Sequence, residues 1–234
     1  MKLRVGSYNV EFSKSTSAEE VGRMLRPFRL DLVGFCEVPD GEWTARAGRE
    51  MGLAHAFDGA VTSAHHVNKY KTILSRVPLV RTGEVYVQVA GGWNPASVVE
   101  ADMRFGDVPV RFHSLHVCSC GLPRGHAHLV AEEVLRNEGG RCTIAVGDYN
   151  CHLGDGDMDR LEAAGFRSAW RDLPLDTTSL YTYNAFNPQQ SLGVIDHILY
   201  SRACPCRVVD GGIIELEKPL SDHKPIWAEF EFSA

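Results

Sequence analysis

Residues 142–150 read CTIAVGDYN, an apolar run that ends in the polar residues Asp148 and Asn150. The run over 142–147 is typical of a buried β-strand bounded by a glycine. A carboxylate at the end of such a strand is costly to bury unless it meets a cation or hydrogen-bond donors. The stretch therefore predicts a buried sheet with a polar site at one of its edges.

Polar side chains also stand at the ends of other apolar strands or interrupt them. Asn9 ends the first strand and Glu37 the second. The remaining positions of this kind are His116, Asp196, Asp222 and His223. Several such residues on separate strands indicate one shared polar pocket.

The rest of the chain alternates between strand and helix patterns. Ser17 to Glu20 has the form of a capping box before an amphipathic helix, and Gly106-Asp107 is a hairpin signal. Further helices are predicted over residues 43–51, 125–137 and 157–164. Strands are predicted over residues 30–38, 72–74, 85–87, 97–99, 108–117, 180–184, 194–200, 208–216 and 226–232. Hairpins mixed with helices predict a single α/β domain over residues 1–234, of the α+β type with a largely antiparallel sheet system.

Composition excludes several classes of protein. Of 234 residues, 44% are hydrophobic and 23% charged, which excludes a disordered chain. The net charge of −6 speaks against holding DNA by general electrostatic attraction. No signal peptide or apolar membrane span is evident, so we expect a cytoplasmic protein. The seven cysteines form no regular framework and are expected to be free thiols in a reducing compartment.

The donor set of these polar residues predicts a metal-dependent reaction. Oxygen-rich ligands suit Mg²⁺, with Mn²⁺ as a substitute. A histidine paired with an aspartate beside such an ion could orient or deprotonate an attacking water. The combination points to hydrolysis of a phosphoester.

Seven short motifs, in order along nearly the whole chain, resemble those of the endonuclease/exonuclease/phosphatase superfamily, which includes pancreatic deoxyribonuclease and abasic-site endonucleases. The resemblance implies a four-layer sandwich: two mixed, largely antiparallel β-sheets, with helices on both outer faces. The motifs are Ser7-Tyr8-Asn9-Val10, Cys36-Glu37-Val38, residues 73–78, Ser114-Leu115-His116-Val117, Gly147-Asp148-Tyr149-Asn150, residues 195–199 and Ser221-Asp222-His223-Lys224-Pro225.

The resemblance also implies the metal ligands. Glu37 would be the main ligand of Mg²⁺, helped by Asn9 and Asp222. Cys36 stands where the family often has Gln, and Val194 where it commonly has Arg. The strand that starts at Ala96 lacks another frequent Arg. These departures leave the metal chemistry intact but weaken assignment to a subfamily.

Five residues would carry the catalytic roles that the resemblance implies. Asp148 would orient or deprotonate the attacking water, while Asn150 would hold that water or the phosphate. His223, paired with Asp196, would contact the phosphate or act as the base instead. His116 would stabilise the developing charge or assist the leaving group, although a structural role in the core is the alternative.

Two groups of residues allow further hypotheses. Cys36 and Cys151 adjoin site residues, and with Cys118 and Cys120 they could make the enzyme sensitive to oxidation; a zinc site at His116, Cys118 and Cys120 is an alternative. Residues 59–83 contain no acid and carry Lys69, Lys71, Arg76 and Arg81, with Tyr70 among them. That segment is either a solvated loop or a rim that meets substrate phosphate.

The sequence thus predicts a Mg²⁺-dependent phosphodiesterase that acts on nucleic acid as an endo- or exonuclease. One alternative is a phosphatase or phosphodiesterase acting on a small or lipid-derived phosphate, such as an inositol phosphate or a sphingomyelin-like head group. Another is a catalytically inactive relative that serves as a binding module. We expect a monomer whose partner is a phosphate-ester substrate, with no membrane or protein partner.

Overall fold

The computed structural model describes residues 1–63, 68–87, 96–117, 142–191 and 193–233. Within these residues twelve strands form two six-stranded sheets. The first sheet contains β1 (Lys2–Asn9), β2 (Leu32–Val38), β3 (His55–Asp58), β4 (Tyr70–Ser75), β11 (Cys206–Ile213) and β12 (Ile226–Phe232). The second contains β5 (Arg81–Val87), β6 (Ala96–Phe105), β7 (Val108–His116), β8 (Cys142–Asp148), β9 (Phe166–Ser168) and β10 (Asp196–Ser201).

Each sheet has one parallel pair of strands at its centre. The strand orders are β11-β12-β1-β2-β4-β3 and β5-β6-β7-β8-β10-β9. β1 runs parallel to β2, and β7 runs parallel to β8. The other strand pairs among the described residues are antiparallel. This confirms the expected mixed, largely antiparallel sheets.

The two sheets pack face to face, and helices cover both outer faces. Ile73 and Phe230 of the first sheet share a buried apolar core with Phe112 and Ile144 of the second. Burying each such side chain contributes about 2 kcal/mol. The helices of the described residues are α1 (Ala18–Leu25), α2 (Trp43–Met51) and α3 (Gly156–Ala163).

The outer layers confirm the four-layer sandwich. α1 and α2 bury Val21 and Ala47 against Leu74 of the first sheet. α3 buries Met158 against Leu199 of the second. α1 begins with the expected capping box, in which the backbone N–H of Ser17 donates to the Glu20 carboxylate. Nowhere in the described ranges is a helix long and apolar enough to cross a membrane.

Several predicted elements differ from the structure. The predicted strand over 180–184 is wrong: there only Tyr183 pairs, through one isolated bridge to His223. Its neighbour Thr182 instead accepts hydrogen bonds from the backbone of residues 195 and 196 through its hydroxyl. β2 begins at Leu32 rather than at residue 30, because Arg29 takes a left-handed conformation at φ 51°. The helix predicted over 125–137 lies outside the described residues.

The expectation that all the cysteines are free thiols is wrong for two of them. Cys142 starts β8 and Cys204 lies in the turn after β10, and they form a disulfide. The two strands are hydrogen-bonded neighbours, so residues at that end of the pair come within bonding reach, with Cα atoms 4.4 Å apart. Spacing along the chain could not reveal this pair, which is 62 residues apart.

Replacing Cys142 by Ser is expected to lower the free energy of unfolding by about 2–4 kcal/mol, because the cross-link restricts the unfolded chain. Urea unfolding measures the change. Dithiothreitol should lower the stability of the wild type by a similar amount and leave the variant unchanged. Cys206→Ser is the matched control, since it alters a neighbouring thiol and keeps the disulfide. Equal stability of wild type and Cys142→Ser would contradict a stabilising cross-link.

Candidate active site

The central strands of both sheets bring the polar residues to one end of the sandwich. Asn9 is the last residue of β1 and lies beside Cys36, the residue before Glu37 in β2. In the second sheet, His116 pairs with Asp148, and Asp148 pairs with Asp196. The carboxyl ends of parallel strands meet at the same edge of a sheet, so these residues converge as the sequence predicts.

Asp148 is the centre of the cluster. Its Oδ2 atom lies 3.2 Å from Asn9 Nδ2, 3.4 Å from His116 Nε2 and 3.5 Å from His223 Nε2. Its Oδ1 atom accepts a hydrogen bond from the backbone N–H of Asn150 at 3.0 Å. The carboxylate is buried, and burial raises its pKa to about 7. Such a group can exchange a proton near neutral pH.

His223 and Asp196 form a buried pair beside Asp148. His223 Nδ1 lies 2.9 Å from Asp196 Oδ2, and the imidazole packs edge-on against Tyr183 with ring centroids 5.0 Å apart. The carbonyl of Asp196 accepts a hydrogen bond from the indole of Trp170 at 3.0 Å. Burial alone would lower the pKa of His223, but the charges of Asp196 and Asp148 raise it to about 10. His223 is therefore an imidazolium held between two carboxylates.

The proton on His223 can be observed directly in the metal-free protein. We expect its imidazole C–H signals in NMR spectra to keep their protonated positions at pH 8.5, since its pKa is raised above that pH. The stabilisation that follows from this proton is complete below about pH 6.5 and is lost as the pH rises through about 10. In Asp196→Asn the pKa should fall, because one of the two carboxylate charges is gone. An unchanged titration in that variant would contradict the pairing.

His116 is held neutral. Burial lowers its pKa well below the usual value, and the charge of His223 adds to the effect. Besides Asp148, it faces Glu37, whose Oε1 atom is 3.8 Å from His116 Nδ1. A neutral imidazole here can donate a hydrogen bond to an oxygen that gains negative charge.

Glu37 reaches the pocket through an unusual backbone conformation. It has a left-handed φ of 52°, at an irregularity in the pairing of β2 with β4. Its Oε1 atom lies 3.5 Å from Asn9 Nδ2, and its Oε2 atom lies 3.0 Å from Lys69 Nζ. A non-glycine residue in this region of the backbone costs about 1–3 kcal/mol, which is typical of functional sites.

Asn150 and Asp222 lie at the margin of the cluster. The amide of Asn150 donates to the carbonyl of Val117 at 2.8 Å. Asp222 Oδ1 accepts a hydrogen bond from Ser221 Oγ at 3.2 Å. Burial raises the pKa of Asp222, and the charges of Glu11 and Glu37 raise it further. The structure thus brings Asn9, Glu37, His116, Asp148, Asp196 and His223 into direct contact, with the other two predicted residues beside them.

Sequence reasoning missed Glu11. It is not among the residues that the sequence predicts for the site, and β1 ends at Asn9, so strand alternation does not place it. Glu11, Phe12 and Ser13 then take left-handed φ values of 44°, 45° and 57°. This turn brings the Glu11 carboxylate near enough to affect the pKa of Asp222. No residue type in the sequence signals it, because left-handed turns usually carry glycine or asparagine.

Of the four cations in the predicted basic segment, one forms an ion pair with a site residue. Lys69 pairs with Glu37. Lys71 is 1% exposed, and burial lowers its pKa to about 8. Arg76 and Arg81 pair with Asp31 and Glu100.

The described cysteines near the site do not favour oxidation. Cys36 Sγ donates to the carbonyl of Leu115 at 2.9 Å, and burial raises its pKa well above the usual value. Burial also raises the pKa of Cys151 to about 12. Both are therefore neutral thiols, which are poor nucleophiles. Cys118 and Cys120, on which the zinc alternative also depends, lie outside the described residues.

The cluster fits a hard divalent cation. Carboxylate oxygens of Asp148 and Asp196 lie within 4.8 Å of each other and of a ring nitrogen of His223. In the part of the chain that the structure describes, Asp196 Oδ1 and Glu11 Oε2 are buried without a hydrogen-bond partner. Buried carboxylate oxygens of this kind are stabilised by a cation.

Comparison with known proteins agrees with this geometry. The model of the Endonuclease/Exonuclease/phosphatase family matches residues 6–223. A search of curated proteins finds no match.

Among solved structures, an endonuclease/exonuclease/phosphatase from Bacteroides vulgatus superimposes with a TM-score of 0.81 at 16% identity, covering 100% of both chains. D. rerio TDP2, complexed with a single-strand DNA product, superimposes with a TM-score of 0.78 at 18% identity, covering 98% of this chain and 99% of the other. A mannosyl-6-phosphatase from Bacteroides thetaiotaomicron superimposes with a TM-score of 0.76 at 19% identity, covering 98% of this chain and 100% of the other. At these identities the likeness shows a shared fold.

Proposed function

Since this chain belongs to the endonuclease/exonuclease/phosphatase family, whose members hydrolyse phosphoester bonds, we propose that it is a Mg²⁺-dependent phosphodiesterase acting on nucleic acid. The observation that carries the proposal is the Asp148 carboxylate, which is buried among Asn9, His116 and His223. A group of this kind, with a pKa near neutrality, is suited to take a proton from an attacking water.

Each residue of the cluster has a role in this proposal. Glu37, Asn9 and Asp222 would hold the cation, with Mn²⁺ as a substitute for Mg²⁺. When bound, a divalent cation supplies positive charge that draws in a phosphate group and offsets charge developing at phosphorus.

The histidines act on the phosphate in this proposal. The His223 imidazolium, kept charged by Asp196, can donate to a phosphate oxygen. Neutral His116 would donate to the leaving oxygen, and Asn150 would hold the water or the phosphate, while its backbone N–H donates to Asp148.

Nucleic acid is the proposed substrate because the structurally similar TDP2 is complexed with a DNA product. A small phosphorylated sugar or inositol is the second candidate. It is favoured because Lys69 is the one partly exposed cation of the described basic segment that pairs with a site residue, whereas a polynucleotide usually meets several cations. We also propose a single domain acting as a monomer in the cytoplasm, where the Cys142–Cys204 disulfide would be an exception in a reducing compartment; sedimentation and cell fractionation test these points.

Hydrolysis of bis-p-nitrophenyl phosphate tests the activity. The wild type should hydrolyse it with Mg²⁺ or Mn²⁺ and lose activity in EDTA, and Glu37→Ala and His223→Ala should both be inactive. Equal rates in the wild type and both variants would reject this site. No hydrolysis by the wild type on this compound or on a panel of DNA, abasic DNA, RNA, inositol phosphates, sphingomyelin and sugar phosphates would favour a binding module.

A further inference from the structure

Lys69 forms an ion pair with Glu37, the carboxylate that is the expected metal ligand. Its Nζ atom lies 3.0 Å from Glu37 Oε2, and the two side chains are only 23% and 11% exposed. The other carboxylate oxygen of Glu37 faces Asn9 and His116. One oxygen therefore points into the cluster, while an ammonium group holds the other.

The backbone on both sides fixes this contact. Asn68, which precedes Lys69, has a left-handed φ of 66° and accepts a hydrogen bond from the backbone N–H of Asp40 through its side chain at 3.0 Å. That bond links the segment before β4 to the loop that follows β2. Glu37 lies near the end of β2, just before this loop. The link between the end of β2 and the start of β4 therefore holds Lys69 next to Glu37.

The ammonium group has a second favourable neighbour at the rim. Lys69 Nζ lies 5.6 Å from the centroid of the Phe12 ring, within the range of a cation–π contact. Phe12 is partly exposed and sits in the left-handed turn that follows Asn9. If the ion pair with Glu37 breaks, the lysine can keep this contact and remain at the edge of the pocket.

We propose that Lys69 competes with the divalent cation for Glu37 and so sets the metal affinity of the site. The inference rests on the proposed function, in which Glu37 is a metal ligand. Two cations cannot share one carboxylate oxygen without strong repulsion, so an ion that uses Glu37 Oε2 displaces the ammonium. The released Lys69 then stands over Phe12, where it can attract the phosphate of the substrate.

Binding of Mn²⁺, followed by the electron paramagnetic resonance signal of the free ion, tests this without any measurement of activity. Lys69→Met is expected to bind Mn²⁺ about tenfold more tightly than the wild type, because a partly buried competing charge is removed. Lys69→Arg keeps the charge and should bind like the wild type.

The matched control is Lys2→Met, which removes a lysine paired with Glu229 at the opposite end of β1 and makes the same change in net charge. It should leave Mn²⁺ affinity unchanged. Equal or weaker binding by Lys69→Met, or equal tightening by Lys2→Met, would overturn the proposal.

Glu37→Gln separates this inference from the proposed function. If Glu37→Gln binds Mn²⁺ as tightly as the wild type, Glu37 is not a ligand and the proposed function fails at that residue. If Glu37→Gln weakens binding while Lys69→Met fails to tighten it, the competition alone is rejected. The proposal also requires that Lys69→Met has no effect in the Glu37→Gln background.

Discussion

Replacing Asp148 by Asn is expected to lower kcat for a phosphodiester by about 10³-fold. The amide has nearly the shape of the carboxylate and can still face Asn9 and the two histidines, but it cannot accept a proton from water. Steady-state hydrolysis of bis-p-nitrophenyl phosphate with Mg²⁺ measures the change. Asp107→Asn, in the exposed turn between β6 and β7, is the matched control and should retain full activity.

The same substitution should leave the fold at least as stable as the wild type at pH 8. Burial raises the pKa of Asp148 to about 7, so the ionised form is disfavoured in the folded protein, and the amide removes that cost. The advantage of the variant should grow as the pH rises from about 4 to about 7, because there the unfolded wild type ionises while the folded protein keeps its proton, and it should level off above pH 7. A variant that is both inactive and strongly destabilised would instead assign Asp148 a structural role.

Replacing Gly147 by Ala is expected to lower the free energy of unfolding by about 3 kcal/mol or more. Gly147 has a φ of 150°, and an added Cβ would lie 1.9 Å from the carbonyl oxygen of Leu115 in β7. That neighbour is backbone in the middle of a sheet, so it cannot move away without breaking the pairing of β7 with β8. Chemical unfolding measures the loss, and activity should fall with it because Asp148 is the next residue.

Gly156→Ala is the control for the glycine substitution. Gly156 begins α3, and nothing lies within 4 Å of the Cβ that alanine would add. Alanine favours a helix more than glycine does, so stability should be unchanged or slightly higher. If Gly156→Ala lost as much stability as Gly147→Ala, close contact with Leu115 would not be the cause of the loss.

The fold and the convergence of the main site residues could be predicted from the sequence. Apolar runs that end in polar residues mark the carboxyl ends of β1, β2 and β8, and parallel pairing brings such ends together. The family and the four-layer sandwich are confirmed. The catalytic and metal-binding roles of individual residues stay predictions.

Other features could not be predicted because they depend on three-dimensional contacts without a sequence signal. The left-handed conformations of Glu11 and Glu37 occur in residue types that rarely adopt them. The basic segment 59–83 looked like one surface, yet Lys71 points into the protein while Lys69 pairs with Glu37. The Cys142–Cys204 disulfide follows from the pairing of β8 with β10, which spacing along the chain does not reveal.

The hydrogen bond from Trp170 to the carbonyl of Asp196 gives the protein an optical reporter. Trp170 is buried, so its fluorescence responds to its polar partner more than to bulk solvent. Asp196 in turn holds His223. A shift of the Asp196 backbone, when an ion or a phosphate enters, would therefore change the emission of an intrinsic chromophore without any label.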